Sequence, residues 1–226
     1  MDFGARTLPV ALQRSCPDCP PERLTSALAL PPQQALDLAL GHDADAPECD
    51  LFQSALDEAA QAHAEVTPGA LDALQSLHRR GIPCGWLDEL PRATTLHLAA
   101  ALDEHLATGM DIAGRQWPAP DSCWQALMQL GTPLLDGCVL VSGQPRLLQA
   151  GLNAGLWTIG LAASGPLCGQ APGDWDALGN LDRDRLRAQA TLGLYRLGVH
   201  SVIDHLGELD SCLQDIAGRR LKGEKP

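Results

Sequence analysis

Basic side chains are scarce in this chain of 226 residues. Lysine and arginine together number 16 against 28 aspartates and glutamates, which gives a net charge of −12 at neutral pH. A protein that wraps a nucleic acid needs clustered lysine and arginine to neutralise phosphates, and an anionic membrane surface attracts the same side chains. The charge balance therefore predicts that neither a nucleic acid nor a membrane is a partner.

Long apolar runs are missing as well, and so is an export signal. No stretch approaches the roughly 20 apolar residues of a membrane-spanning helix. The N-terminus also lacks a basic segment followed by an apolar one. We therefore expect a cytoplasmic protein. Hydrophobic residues make up 45% and charged residues 19% of the chain, a balance typical of a globular protein with a sizeable core.

The eight cysteines are expected to be reduced thiols, because disulfides are rare in the cytoplasm. Cys16 and Cys19 form the one pair with the spacing of a metal or redox site. A zinc site would need further ligands, for which Cys49, His42 and His63 are the nearest candidates in the sequence. Between a weak zinc site and two thiols in a proline-rich loop, the sequence favours the second.

A strand, a helix and a second strand are predicted within residues 138–161 (CVLVSGQPRLLQAGLNAGLWTIGL). The first apolar run is short enough for a strand buried on both faces, and Gly155 stands where a helix would end. A unit of this kind belongs to a parallel sheet, in which ligands bind beyond the carboxyl ends of the strands.

The loop after the first of these strands is therefore a candidate site. Ser142, Gly143 and Gln144 could hold an anion through backbone N–H groups at the N-terminus of the helix, although Pro145 removes one donor. The loop offers no carboxylate, which a magnesium ion would require.

The rest of the chain is predicted to be helical in its first third and mixed after that. Prolines are expected to keep residues 1–20 irregular. The other predicted elements are helices at 22–40 with a break at Pro31 and Pro32, 51–64, from Thr67 to about 80, 92–107, 122–130, 183–197 and 206–216, strands at 82–87 and 199–204, and a frayed tail from Arg219.

Residues 66–216 resemble the haloacid dehalogenase superfamily and, within it, most closely the phosphonoacetaldehyde hydrolase (phosphonatase) family. The segments that carry the resemblance are 113–120 (AGRQWPAP), 128–131 (MQLG), 150–161 (AGLNAGLWTIGL), 164–165 (SG) and 198–209 (GVHSVIDHLGEL). The resemblance implies an α/β fold, a Rossmann-like parallel sheet with a small helical cap inserted after its first strand. It assigns residues 1–7 and 67–218 to the core, 8–66 to the cap and 219–226 to a flexible tail.

The first strand of this fold has no counterpart before Asp2, and its absence would leave the backbone groups of neighbouring strands unpaired. Residues 7–12 could fill the gap, the sheet could close around it, or a second chain could cover it. We expect a homodimer, because of this gap and because the resemblance implies dimers formed through the cap.

The resemblance also implies a nucleophilic aspartate, a basic residue and two acidic magnesium ligands. Asp2 falls at the nucleophile position and Arg115 at the basic position, where Arg115 could line a remnant anion pocket or could instead form a surface ion pair. The two metal-ligand positions fall on Gly143 and Leu147, which cannot bind magnesium. A Ser or Thr motif expected at 86–88 is not matched.

A family lysine that forms a Schiff base aligns near Pro31, and the chain has lysine at Lys222 and Lys225 alone. The resulting prediction is a non-catalytic binding or regulatory module, which engages a small anionic metabolite or a partner protein and needs no cofactor. The alternative is a weak or repurposed hydrolase that uses Asp2 and Arg115, and a third hypothesis is a zinc protein through Cys16 and Cys19.

Overall fold

The structure is a computed structural model that describes residue 2 and residues 4–103, 105–110 and 114–226. The helices are α1 (Thr7–Ser15), α2 (Pro21–Ala27), α3 (Pro32–Leu40), α4 (Ala46–Ala62), α5 (Ala70–Arg79), α6 (Arg92–Ala99), α7 (Asp121–Gln129), α8 (Pro145–Asn153), α9 (Pro172–Ala177), α10 (Asn180–Arg196) and α11 (Leu209–Leu221), with a 3-10 turn at Leu206–Glu208. The strands are β1 (Gly85–Trp86), β2 (Thr108–Gly109), β3 (Val139–Ser142), β4 (Trp157–Leu161) and β5 (Ser201–Ile203).

A three-stranded parallel sheet forms the centre of the molecule, in the order β3, β4, β5. Val141 lies beside Ile159, and Ile159 lies beside Ser201 on the next strand. Because β4 is buried throughout, helices must cover both faces of the sheet. The predicted βαβ unit and the parallel α/β fold are both confirmed.

Two helical layers sandwich this sheet. On one face, Trp157 and Ile159 pack with Leu77 of α5 and Ile216 of α11. The other face is covered by α7 and α8, which contribute Cys123 and Leu147 to a second apolar cluster, and by α10, whose Leu194 is fully buried. The molecule is thus a doubly wound α/β sandwich around a short sheet.

Residues 7–62 fold as a group of helices around one apolar cluster. Leu12 of α1, Leu36 of α3 and Leu56 of α4 are almost completely buried in it. Helix α4 starts earlier than the sequence predicts, because Asp45 caps it and forms a reciprocal capping box with Glu48. This region is helical as predicted for the cap, and its role as a cap remains a prediction.

The prediction that residues 1–20 are irregular is wrong, and so is the idea that residues 7–12 supply a strand. Helix α1 covers residues 7–15, and its third residue is Pro9. A proline in the first turn costs no hydrogen bond, because the N–H groups of that turn have no intrahelical partner. At the start of this helix, the Asp2 carboxylate accepts hydrogen bonds from the N–H groups of Arg6 and Thr7.

Several element ends also differ from the prediction. Helix α5 begins at Ala70 instead of Thr67, after Gly69 takes a left-handed conformation with φ 77°. Helix α6 ends at Ala99, well before the predicted residue 107, and the chain reaches β2 instead.

The tail predicted to fray from Arg219 starts later, because α11 continues to Leu221. Arg219 lies over the Trp157 ring and donates to the carbonyl oxygen of His200, and Arg220 pairs with Asp136. These contacts hold the last turn of the helix against the sheet.

A candidate ligand-binding cavity between the two sheets

A cavity with a volume of about 1200 Å³ lies between the two sheets. Strands β1 and β2 form a separate parallel pair, and among the described residues no strand joins β1 to β3. Residues of both β1 and β3 line the cavity, which we call the central cavity. Its polar end lies beyond the carboxyl ends of these strands and contains Asp2, Asp88, Glu89, Ser142 and Arg146.

Asp2 is a backbone anchor in the wall of the central cavity. Its Oδ1 accepts the N–H of Arg6 at 2.7 Å and its Oδ2 accepts the N–H of Thr7 at 2.9 Å. Burial raises the pKa of this carboxyl, and the two backbone hydrogen bonds offset part of that effect. Both oxygens are therefore engaged in starting α1.

Asp88 faces the same end of the cavity from the loop that follows β1. Its Oδ1 accepts the N–H of Leu90 at 3.0 Å. Burial raises the pKa of Asp88 to about 6, and the negative charge of Asp2 adds to the rise. The structure thus brings two carboxylates with raised pKa values to one site.

A buried ion pair connects the segments after β1 and β3. Arg146 Nη1 lies 2.6 Å from Glu89 Oε2, and the two side chains are 17% and 10% exposed. Glu89 Oε1 also accepts the Trp117 N–H at 2.6 Å, and Arg146 donates to the Trp117 carbonyl oxygen. Burial raises the pKa of Glu89, and these contacts offset the rise only in part.

The predicted anion loop is closely packed. Ser142 Oγ accepts the N–H of Gln144 at 3.0 Å, so that donor is already used. A Cβ added at Gly143 would lie 2.5 Å from the Cα of Gly165, which leaves no room for a side chain there. Leu147, a residue of α8, is 6% exposed and packs in the apolar cluster that also contains Cys123.

Arg115 is not brought together with the other candidate residues. It lies outside the central cavity among the described residues and pairs with Asp121 at 3.0 Å, on the surface. This is the surface ion pair that the sequence left open as the alternative to an anion pocket. The neighbouring residue 113 of the resemblance lies outside the described residues.

Cys16 and Cys19 lie at the end of α1 and in the loop after it, and both thiols are free. Cys16 is buried, and burial raises the pKa of its thiol. Cys49 packs against the same apolar cluster, whereas the His42 ring lies 3.6 Å from Glu48. Across the described part of the chain, no group of three or more His, Cys, Asp or Glu side chains is arranged to hold a metal.

Sequence reasoning missed Asp88, Glu89 and Arg146 as members of the site. A signal was present, because two acidic residues follow directly after the predicted strand 82–87 and Arg146 opens the helix after β3. Residues at the carboxyl ends of parallel strands meet at one edge of the sheet. The pairing of Glu89 with Arg146, by contrast, is a long-range contact between residues 57 positions apart in the sequence.

Known proteins similar to this chain share its fold and sequence pattern. Phosphonoacetaldehyde hydrolase from Salmonella enteritidis is 33% identical over 168 residues, which cover 70% of this chain and 61% of that protein. The chain therefore spans about three fifths of the length of the curated relatives it matches. No protein-family model matches the sequence.

Solved structures agree with the sequence relatives. A phosphonoacetaldehyde hydrolase-like protein from Oleispira antarctica is 25% identical, with a TM-score of 0.75 over 86% of this chain and 74% of that one. Another solved chain, 60% identical, has a TM-score of 0.71 over 74% of this chain and 86% of its own length.

None of the helices in the described residues combines the length and the apolar character needed to cross a membrane.

Proposed function

This chain is a phosphonatase-like member of the haloacid dehalogenase superfamily, and on that premise we propose that it is a non-catalytic member whose central cavity binds a ligand without turning it over. The relatives are named as hydrolases, and activity would be the default expectation. The proposal rests on what occupies the polar end of the cavity.

The buried pair of Glu89 and Arg146 is the observation that carries the proposal. It places a guanidinium in the first turn of α8, between the carboxyl ends of β1 and β3. The guanidinium engages the Glu89 carboxylate, so this carboxylate is not free to bind a divalent metal ion, and the helix N-terminus adds positive potential beside it.

A magnesium ion does not fit the residues present. The positions that the family resemblance assigns to its ligands are Gly143 and Leu147, one packed against Gly165 and the other in the apolar core. Asp2 lines the same cavity, and both of its oxygens accept hydrogen bonds from backbone N–H groups. Hard cations need several oxygen ligands, which this arrangement does not supply.

Arg6 supports a small anion as the ligand. It lines the central cavity, and its Nε is buried without a hydrogen-bond partner among the described residues. A buried guanidinium donor without a partner costs free energy, which a bound anion would recover. The predicted anionic metabolite is therefore the ligand class that we propose.

Titration calorimetry with inorganic phosphate tests the ligand class. We expect binding to the unmodified chain and about tenfold weaker binding to Arg6→Gln, because a charge-assisted hydrogen bond is lost. Arg14→Gln is the matched control, since Arg14 makes an exposed ion pair with Glu58 away from the cavity. Equal affinity in both variants and the unmodified chain would contradict the assignment of Arg6.

Turnover assays test the absence of catalysis. We expect no hydrolysis of phosphonoacetaldehyde or of a generic phosphoester with magnesium present, beside an active family hydrolase as the positive control. Magnesium-dependent hydrolysis that Asp2→Asn abolishes would show that the chain is an enzyme.

A weak or repurposed hydrolase is the second candidate function, and one observation favours it. Asp2 and Asp88 are two carboxylates whose charges interact inside the cavity, and the pKa of Asp88 is about 6. Pairs of carboxylates in different environments serve as acid and base in hydrolases. If the protein hydrolyses a phosphorylated or phosphonate compound, the rate should depend on a group titrating near pH 6 and should fall in Asp88→Asn.

The homodimer predicted from the sequence remains a proposal. The separation of β1 from β3 leaves backbone groups of the strand edges exposed to the cavity, which supports a covering element. Light scattering at micromolar concentration tests the dimer, and a monomeric mass would count against it.

A further inference from the structure

We propose that the outer face of helix α10 is a self-association surface, on which α10 of one copy of this chain pairs antiparallel with α10 of a second copy. The described residues that line the central cavity include none of α10, so the inference does not depend on the proposed function. It rests on the spacing of four exposed apolar residues, on their symmetry about Ala188 and on the charges beside them.

Helix α10 is apolar on two opposite sides. Ala190 and Leu194 are 1% and 0% exposed and pack in the same apolar cluster of the core. On the other side of the helix, Leu181, Leu192 and Tyr195 are 84%, 57% and 52% exposed. A surface helix usually carries polar and charged side chains on the side opposite the core. The outer side of α10 departs from this pattern, and the described part of the chain leaves it uncovered.

The exposed apolar residues form one line along the helix. Four of them lie at intervals of seven, four and three positions: Leu181, Ala188, Leu192 and Tyr195. At 3.6 residues per turn, these intervals return each side chain to nearly the same side, as in the seam of a coiled coil. A single exposed apolar side chain needs no explanation, but a line of them over about 20 Å of helix marks a contact surface.

The line is symmetrical about Ala188, which identifies a second copy as the partner. Leu181 precedes Ala188 by seven positions, and Tyr195 follows it by seven. When two α10 helices cross antiparallel at Ala188, Leu181 of each copy faces Tyr195 of the other. Leu192 of each copy then enters the hole beside Leu181 and Ala188 of the other, as knobs enter holes in coiled coils. Such a contact uses the same surface on both copies and closes as a two-fold dimer.

The charges of α10 fit the antiparallel pairing. Asp182 lies in the first turn of the helix and Arg196 in the last, so the pairing brings Arg196 of each copy beside Asp182 of the other. Asp182 already pairs with Arg185 at 3.2 Å, but its side chain remains 53% exposed and can accept a second guanidinium. The helix carries four arginines and two aspartates, whereas the whole chain has a net charge of −12. The contact therefore avoids the acidic surfaces that would repel a second copy.

The contact is small, so we expect the dimer to be reversible. One helix pair buries less than the roughly 800 Å² per partner of a stable interface. Monomer and dimer should therefore exchange as the protein concentration changes. This surface is distinct from the helical region of residues 8–66, through which the family resemblance implies a dimer.

Sedimentation equilibrium from roughly 10 to 500 µM protein tests the association. We expect the average mass to rise with concentration. Leu192→Glu should weaken the association about tenfold or more, because it buries a charge in an apolar contact. Leu51→Glu is the matched control, since Leu51 is also 57% exposed but lies on α4, and it should leave the association unchanged.

Oxidative cross-linking locates the contact on the helix. Ala188→Cys places two thiols at the two-fold crossing, where an added oxidant should link them as a disulfide. Gln189→Cys is the control, because this exposed position lies about a quarter of a turn off the line. The unmodified chain gives the background from its eight native cysteines. A monomeric mass at every concentration, a dimer that Leu192→Glu leaves intact, or equal cross-linking at 188 and 189 would each overturn the proposal.

Discussion

Asp88→Asn is expected to stabilise the protein, although it removes a charge from the candidate site. The pKa of Asp88 rises from 3.8 to about 6 in the folded protein. Ionising this carboxyl therefore costs the folded state about 3 kcal/mol more than the unfolded state. Because the side chain is partly exposed, solvent screens the charge, and we expect a gain of about 1–3 kcal/mol at pH 8.

The pH dependence distinguishes this cause from other effects of the substitution. Below about pH 4 the carboxyl is protonated in both states, so the substitution should then have little effect on the free energy of unfolding. As pH rises from about 4 to 6, the folded state must give up its proton at a cost, and the unmodified chain should lose stability relative to Asp88→Asn. The asparagine oxygen can still accept the Leu90 N–H, so the local turn is kept.

Urea unfolding at pH 4, 6 and 8 measures the effect, with Asp136→Asn as the control. Arg220 holds the pKa of Asp136 below its usual range, so Asp136→Asn should be less stable than the unmodified chain by a similar amount at all three pH values, because the carboxyl stays ionised above about pH 4. A loss of stability in Asp88→Asn that is the same at all three pH values would refute the reasoning. That result would mean that the effect of Asp88→Asn on the free energy of unfolding comes from hydrogen bonding and not from burial of the charge.

Three further predictions concern stability. Arg146→Met should destabilise the protein by about 3 kcal/mol in urea unfolding, because Glu89 is left buried without its partner. Adding Glu89→Gln should restore much of the lost stability, and no recovery in the double variant would contradict this cause. Leu148→Ala should cost about 2–5 kcal/mol, since the side chain is fully buried, and the exposed Leu181→Ala should change the unfolding midpoint little. Asp45→Ala should cost about 1 kcal/mol by removing the capping box of α4, and a rescue by Asn at this position would confirm the cause.

The parallel sheet and its surrounding helices could be predicted because their signals are local. The short apolar runs around β3 and β4, and Gly155 between them with φ 77°, fix a strand, a helix and a strand within two dozen residues. Helix α1 could not be predicted in the same way. Its start depends on the Asp2 carboxylate, and proline composition alone pointed away from a helix.

The candidate site was predictable in position but not in composition. Sequence reasoning placed a candidate site after β3, and Asp2, Gly143 and Leu147 are among the residues that line the central cavity. It did not predict the ion pair of Glu89 and Arg146, because that contact depends on how two distant loops meet in three dimensions. Arg115 lies away from the cavity because the nearby Asp121 provides a local partner.

Calorimetric titration of the full chain with magnesium chloride tests the central claim most directly. We expect no saturable heat, because glycine and leucine stand at the positions that the family resemblance assigns to metal ligands, and because Arg146 engages Glu89 in an ion pair at the polar end of the cavity. Saturable magnesium binding that Asp2→Asn or Asp88→Asn abolishes would contradict the claim, since it would show that carboxylates of the cavity hold the ion after all.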